Sequence, residues 1–298
     1  VVVTLNDFHL LCAEATLLRP DGELCERGPD GGCTECLAGL PLPGVEADGS
    51  LRSYHLAELM GERLETHRHY LRSVPRVICP SRFLADRMVR AGVLREEQVL
   101  VKRYGYPGQT HPVRPVSTEG SLRVGYVGGI YPSKGVHVLV EAVASLPLGS
   151  ATLDVHGVLD WFPDYVERLR SLAADAPIEF RGPFPPAEID RVLQTLDVLV
   201  VPSIWYENMP ITIQEAFRNA VPVVATRLGG MAEAIRDGVD GRLFPRGDAA
   251  ALATILGQLA SDRDALARLA EGRPDVPSVE HIGRQLEELY ASLLERSA

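Results

Sequence analysis

The sequence contains no apolar run approaching the roughly 20 residues that a helix needs to cross a bilayer. Nothing like a secretory signal opens it, so the expected location is cytoplasmic, with peripheral attachment to the inner membrane surface left open. Basic residues are in deficit. The 30 Lys and Arg stand against 40 Asp and Glu, a net charge of -10, which argues against a nucleic-acid partner because such proteins need a basic footprint. An anionic ligand would have to be held by local groups. Neither G-x-G-x-x-G nor a P-loop occurs, which disfavours a simple dinucleotide-binding or nucleoside-triphosphatase reading. Cysteine is nearly absent beyond residue 36, where only Cys79 remains.

What is present fits a globular α/β protein. The chain has 298 residues, 46% of them hydrophobic, with Gly 27 and Pro 22, enough for about two domains with proper cores. Residues 1–5, 76–79 and 99–101 read as short strands rich in β-branched side chains. Between them, Leu51, Leu56, Leu59, Leu64 and Leu71 mark an amphipathic helix, and Ser81 suits the N-cap of another. From 121 onward strands are expected at 122–127, 151–156, 178–180, 198–201, 221–225 and 242–244, with helical patterns between them. Such alternation implies a parallel doubly wound sheet. The expected domains are 1–106 with a Cys-rich loop at 12–36, a linker at 107–120, a second domain at 121–277, and a last helix at 278–298 that could return to the first domain.

Two stretches can carry ligand chemistry. Val127 to Gly135 is Gly-rich between a strand and a helix, so its backbone N–H groups can approach a phosphate while Lys134 supplies a point charge. Trp205 to Ala216 follows the apolar run 198–201 and leads into a helix; Glu207 falls in the loop, Glu215 about two turns on, and Pro210 is expected in the first helical turn. Ligands of doubly wound sheets bind at such strand ends. A third feature is Cys12, Cys25, Cys33 and Cys36, spaced C-x12-C-x7-C-x2-C in a stretch rich in Gly, Asp and Pro. Four thiols could wrap a structural zinc ion, or stay reduced in an irregular loop; an iron–sulfur cluster is a further variant.

The Glu-x7-Glu spacing in a loop-to-helix context, followed by Pro222-Val223-Val224-Ala225-Thr226 and Gly229-Gly230, resembles the retaining family 4 glycosyltransferases of the GT-B fold. The resemblance implies two Rossmann-like domains, the N-terminal one incomplete here, and transfer of a sugar from a UDP- or GDP-linked donor onto a glycan or lipid-linked acceptor. Glu207 would contact the hydroxyls of the donor sugar and Glu215 those of the ribose, with Lys134 on the diphosphate. Asn208, Met209, Pro210 and Ile211 would line the sugar and diphosphate; Gly128, Gly129, Gly157 and Phe184 would line the diphosphate and nucleobase. No metal is expected at the diphosphate, because a helix N-terminus and Lys134 can offset its charge.

Two positions depart from the family pattern. Asn6 stands where the family places a His near the reaction centre, and Gly129 where it places an Arg. They make a binding protein without turnover a rival reading, beside a GT-B nucleotide-sugar epimerase, which would share the donor site but act without an acceptor. With no Gly-rich strand and loop ahead of Val1, the chain is expected to bind donor nucleotide but to transfer sugar poorly.

Overall fold

The computed structural model describes residues 1–26, 33–37, 49–114 and 120–295, and only the backbone of 49–54. The side chain of Leu51, the Gly28 to Gly32 loop and positions 115–119 of the expected linker lie outside the described residues. The chain divides into two compact units, Val1–Arg103 with Trp205–Met209, and Tyr104–Ile204 with Pro210–Ala298.

In the first unit, β1 (Val2–Thr4), β2 (Arg76–Cys79) and β3 (Val99–Val101) form a parallel sheet in chain order. Helix Gly49–Arg72 joins the first pair, burying Leu56, Met60, Leu64 and Leu71 at spacings of four, four and seven residues that put them on one face. Helix Arg82–Arg90 joins the second pair, and Ser81 caps it by accepting a 3.1 Å hydrogen bond from the Leu84 N–H.

The second unit holds β4 (Leu122–Val127), β5 (Ala151–His156), β6 (Ile178–Phe180), β7 (Val198–Val201), β8 (Val223–Thr226) and β9 (Gly241–Phe244). They form one all-parallel sheet in the order β6-β5-β4-β7-β8-β9. Chain order reverses between β4 and β7, which makes that pair the switch point where a doubly wound sheet opens a ligand crevice. β7 and β8 are buried at every residue, as strands covered on both faces must be. Register between β4 and β7 is pinned by Asp197, which accepts from the Arg123 backbone N–H at 2.9 Å and from the Arg123 guanidinium. Gly125 belongs to the same packing: a methyl there would fall 2.1 Å from a Leu196 methyl.

Helices Val136–Ala144, Pro163–Ala173, Ala249–Ser261 and Arg263–Glu271 bury Leu139, Leu169, Leu256 and Leu266 in the core over the sheet. The segment starting at Tyr104 runs in this unit as well. The Tyr106 N–H donates to the Pro277 carbonyl at 2.9 Å and its carbonyl accepts from the Val279 N–H at 3.2 Å, at the start of helix Val279–Glu295. The unit boundary thus falls at 103–104 rather than at 106–107, and the last helix groups with the second unit.

Candidate active site

At the carboxyl end of β4 the chain turns through Gly128 and Gly129 and meets the loop after β5. The Gly128 N–H donates to the His156 carbonyl at 3.0 Å, and a methyl on Gly157 would fall 2.1 Å from the Gly128 carbonyl oxygen. Gly157 in turn donates to the Gly182 carbonyl at 3.1 Å, and Phe184 packs edge-on against His156, with ring centroids 5.4 Å apart. Gly128, Gly129, Gly157 and Phe184 therefore meet on one rim, where three strand-end loops interlock.

Lys134 ends a short 3-10 turn, Pro132–Lys134, and its Nζ stands 5.7 Å from the centre of the Tyr131 ring. Gly135 follows at φ 67°, and a methyl there would fall 2.0 Å from the Pro202 carbonyl oxygen. The loops after β4 and β7 touch at this point, and the Ile204 N–H donates to the Ser133 carbonyl at 2.9 Å. A side chain at Gly129 would run into the Tyr131 ring, 2.5 Å from where its Cβ would stand, so Tyr131 fills the space open to a basic residue there.

Beyond β7, Pro210 stands just ahead of helix Ile211–Arg218 rather than in its first turn. With φ -58° and ψ 121° it is extended, and the Ile213 N–H reaches back to its carbonyl at 3.2 Å. Ile211 is exposed at the helix start. Burial pushes the carboxyl of Glu215 up, and nearby Arg218 offsets part of that rise. Asp190 is held low despite its burial, because Asn219 donates to it at 2.8 Å and Arg218 donates to the same oxygen.

Glu207, Asn208 and Met209 group with the first unit, in the segment Trp205–Met209, as does Asn6. Glu207 is 8% exposed and accepts a 2.8 Å hydrogen bond from the Trp205 indole N–H. Asn208 accepts from the Ser81 hydroxyl at 2.7 Å, and its side-chain N–H₂ is buried with no partner among the described residues. Met209 is buried; Asn6 is exposed directly after β1, whose pairing ends where Leu5 donates to the Ile78 carbonyl at 2.9 Å.

Cys12, Cys25, Cys33 and Cys36 are free thiols that line one cavity. Burial, together with the three neighbouring cysteines, pushes the Cys33 thiol up to about 11. Among the described residues no group of three or more His, Cys, Asp or Glu is placed to hold a metal ion. Asp262, Arg263 and Asp264 form an Asp-x-Asp run that serves as a helix cap: Asp262 accepts from the Ala265 N–H at 2.8 Å.

Some neighbours of the site leave little trace in the sequence. Arg246, two residues past β9, donates from Nε to the Ile204 carbonyl at 2.6 Å and so brings a second guanidinium or ammonium charge beside the Lys134 loop. Trp205 is recognisable only as an aromatic two residues before Glu207. The Ser81 to Asn208 bond spans 127 positions, and no local pattern announces it.

Parallel α/β units whose loops gather at strand ends define the GT-B fold class, and solved structures agree. The chain superposes on Anabaena HepE, solved with UDP and glucose, with TM-score 0.67 and 24% identity over 78% of this chain and 67% of that one. It also matches sucrose-phosphate synthase from Thermosynechococcus elongatus, with TM-score 0.64 and 24% identity over 79% of this chain and 62% of that one. Residues 121–262 match the family described as Glycosyl transferases group 1. Among curated relatives, the D-inositol 3-phosphate glycosyltransferase of Corynebacterium urealyticum is 34% identical over 57% of this chain and 43% of its own length. The putative colanic acid biosynthesis glycosyltransferase WcaL of Escherichia coli is 29% identical over 70% of this chain and 54% of its own length. The chain thus spans about half the length of these relatives. No helix among the described residues is long and apolar enough to cross a membrane.

Proposed function

We propose that this protein is a retaining glycosyltransferase that moves a hexosyl group from a nucleotide diphosphate sugar to a glycan or lipid-linked acceptor without a catalytic metal. The observation that carries this is the match of residues 121–262 to the group 1 family over the unit whose switch point gathers Gly128, Lys134 and the Glu215 helix. Lys134, with Arg246 beside the same loops, offsets the charge of the diphosphate. Glu215 accepts from the ribose hydroxyls in charge-assisted hydrogen bonds. Phe184 and the backbone at Gly157 line the nucleobase. Glu207, held by the Trp205 indole, accepts from the donor-sugar hydroxyls, and the unpaired N–H₂ of Asn208 can donate beside it.

The diphosphate leaves from the face on which the acceptor attacks, and its own oxygen helps to take the acceptor proton. Asn6, which can both donate and accept, stands in for the family's His. Uridine is the favoured base, since HepE of the same fold was solved with UDP. The acceptor belongs to cell-surface glycan assembly on the cytoplasmic side, in keeping with the colanic acid assignment of WcaL.

Calorimetric titration with UDP and GDP, run beside a transfer assay with UDP-sugars, tests this reading. UDP binding that is at least tenfold weaker in Glu215→Ala, with Glu207→Ala binding normally but turning over slowly, is the expected pattern. Unchanged affinity in Glu215→Ala would sink the ribose assignment.

A further inference from the structure

We propose that Cys12, Cys25, Cys33 and Cys36 bind one zinc ion as a tetrahedral thiolate site, and that this ion ties the turn and hairpin carrying Cys12 and Cys25 to helix Cys33–Leu37. The proposal is independent of the donor-site reading. The backbone brings the four residues together from three directions. After β1 the N–H groups of Leu11 and Cys12 both donate to the Phe8 carbonyl, at 2.8 and 2.9 Å, closing a tight turn that delivers Cys12. Leu18 then bridges Leu24 antiparallel, and the Cys25 N–H donates to the Leu17 carbonyl at 2.8 Å, so a small hairpin folds Cys25 back. Cys33 and Cys36 stand three residues apart on helix Cys33–Leu37, on one face.

All four line a single cavity of about 20 Å³ beside Leu17 and Leu37. That is little more than the room one water-sized particle needs. As placed, no three of the thiols form a metal-holding group, so binding requires them to turn inward about χ1. An all-sulfur donor set of this number suits zinc. Binding releases the thiol protons to solvent. Four thiolates around a divalent ion leave a net charge of about -2, and the Arg63 guanidinium beside Cys12 and Cys33 supplies counter-charge.

The loop also needs a brace. Ala15 and Leu17 sit at φ 56° and 50°, a left-handed conformation that costs L side chains about 1 kcal/mol or more each. Nearby, Leu37, Leu56 and Met60 form a small apolar core with Ala13 and Cys33 packed against it. The ion would in turn position the neighbourhood of Glu207 within the same unit. Arg87 donates to the Cys25 carbonyl and to Glu26, both at 2.6 Å, and lies 5.1 Å over the Tyr206 ring, while the Tyr206 hydroxyl donates to Glu26.

Elemental analysis of the full chain, purified without added metal, tests the site, with cobalt exchange as a second measurement that needs no variant. Close to one zinc per chain is expected, together with thiolate-to-cobalt charge-transfer and tetrahedral bands after exchange. The Cys25→Ser and Cys36→Ser chains should each lose most of the metal. Zinc retained in a chain with all four cysteines changed to Ser would overturn the proposal, as would iron with labile sulfide. So would a metal-free chain whose four thiols titrate freely and whose cobalt form lacks the thiolate bands.

Discussion

In the second unit, β7 and β8 are buried at every residue and six parallel strands carry helices with Leu139, Leu169 and Leu256 beneath them. In the first, β1 and β3 have three residues each, and neither has a fully buried one. The same strand-and-helix alternation is thus stabilised by bulk apolar burial in one unit. In the other, shorter strands bury less, and the burial of Val77, Leu84 and Met88 is joined by specific devices such as the Ser81 cap, the Gln98 amide on the Leu71 and Val74 carbonyls, and the Cys cavity. Burial is non-directional and tolerates change in small increments. Directional contacts fail one at a time.

The sharpest way to break this comparison is Leu139→Ala, which removes a fully buried side chain from the large core. A loss of about 2–5 kcal/mol is expected. Urea unfolding can follow the units separately, because Trp161 lies in the second and Trp205 groups with the first. With Trp205→Phe as background, the Trp161 signal should shift; with Trp161→Phe, the Trp205 signal should shift much less. Equal shifts would mean that the two units unfold as one cooperative body.

Glu215→Gln should weaken UDP binding by about 1.5–3 kcal/mol while leaving the thermal midpoint unchanged or higher. The sign follows from burial, which raises this carboxyl: the folded state disfavours the charged form, so ionised Glu215 costs stability above its pKa. For the same reason UDP affinity in the parent chain should fall with acidification through a midpoint above 4.5, as the ribose acceptor protonates. Titrations across that range should show a slope that Glu215→Gln lacks.

Ser81→Ala is the smallest of these effects, about 0.5–2 kcal/mol for a lost cap. It should appear in the Trp205 signal, since the same hydroxyl holds Asn208, and leave the Trp161 signal in place. Movement of the Trp161 signal alone would contradict the division between the units.

The strands of the second unit could be read almost to the residue, because runs such as Val198 to Val201 combine β propensity with abrupt Pro and Gly stops, both local properties. The placement of Lys134 before one helix and of Glu215 within another could be read for the same reason. Pro210 was placed one position too far into its helix, since its fixed φ suits an extended residue ahead of the first turn as well as a helical one.

The sequence by itself determined the alternation of strands and helices, the Gly-rich turn after β4 and the four-cysteine spacing. Each is encoded within a few residues by steric and hydrogen-bonding preference. Only the tertiary structure decided that β4 and β7 are neighbours, that Arg246 reaches the Ile204 carbonyl, and that Trp205–Met209 groups with Val1–Arg103. It also decided that Cys12, Cys25, Cys33 and Cys36 share one cavity. Those pairings join residues far apart in the chain, and they depend on which apolar faces and backbone donors find one another when the whole core closes.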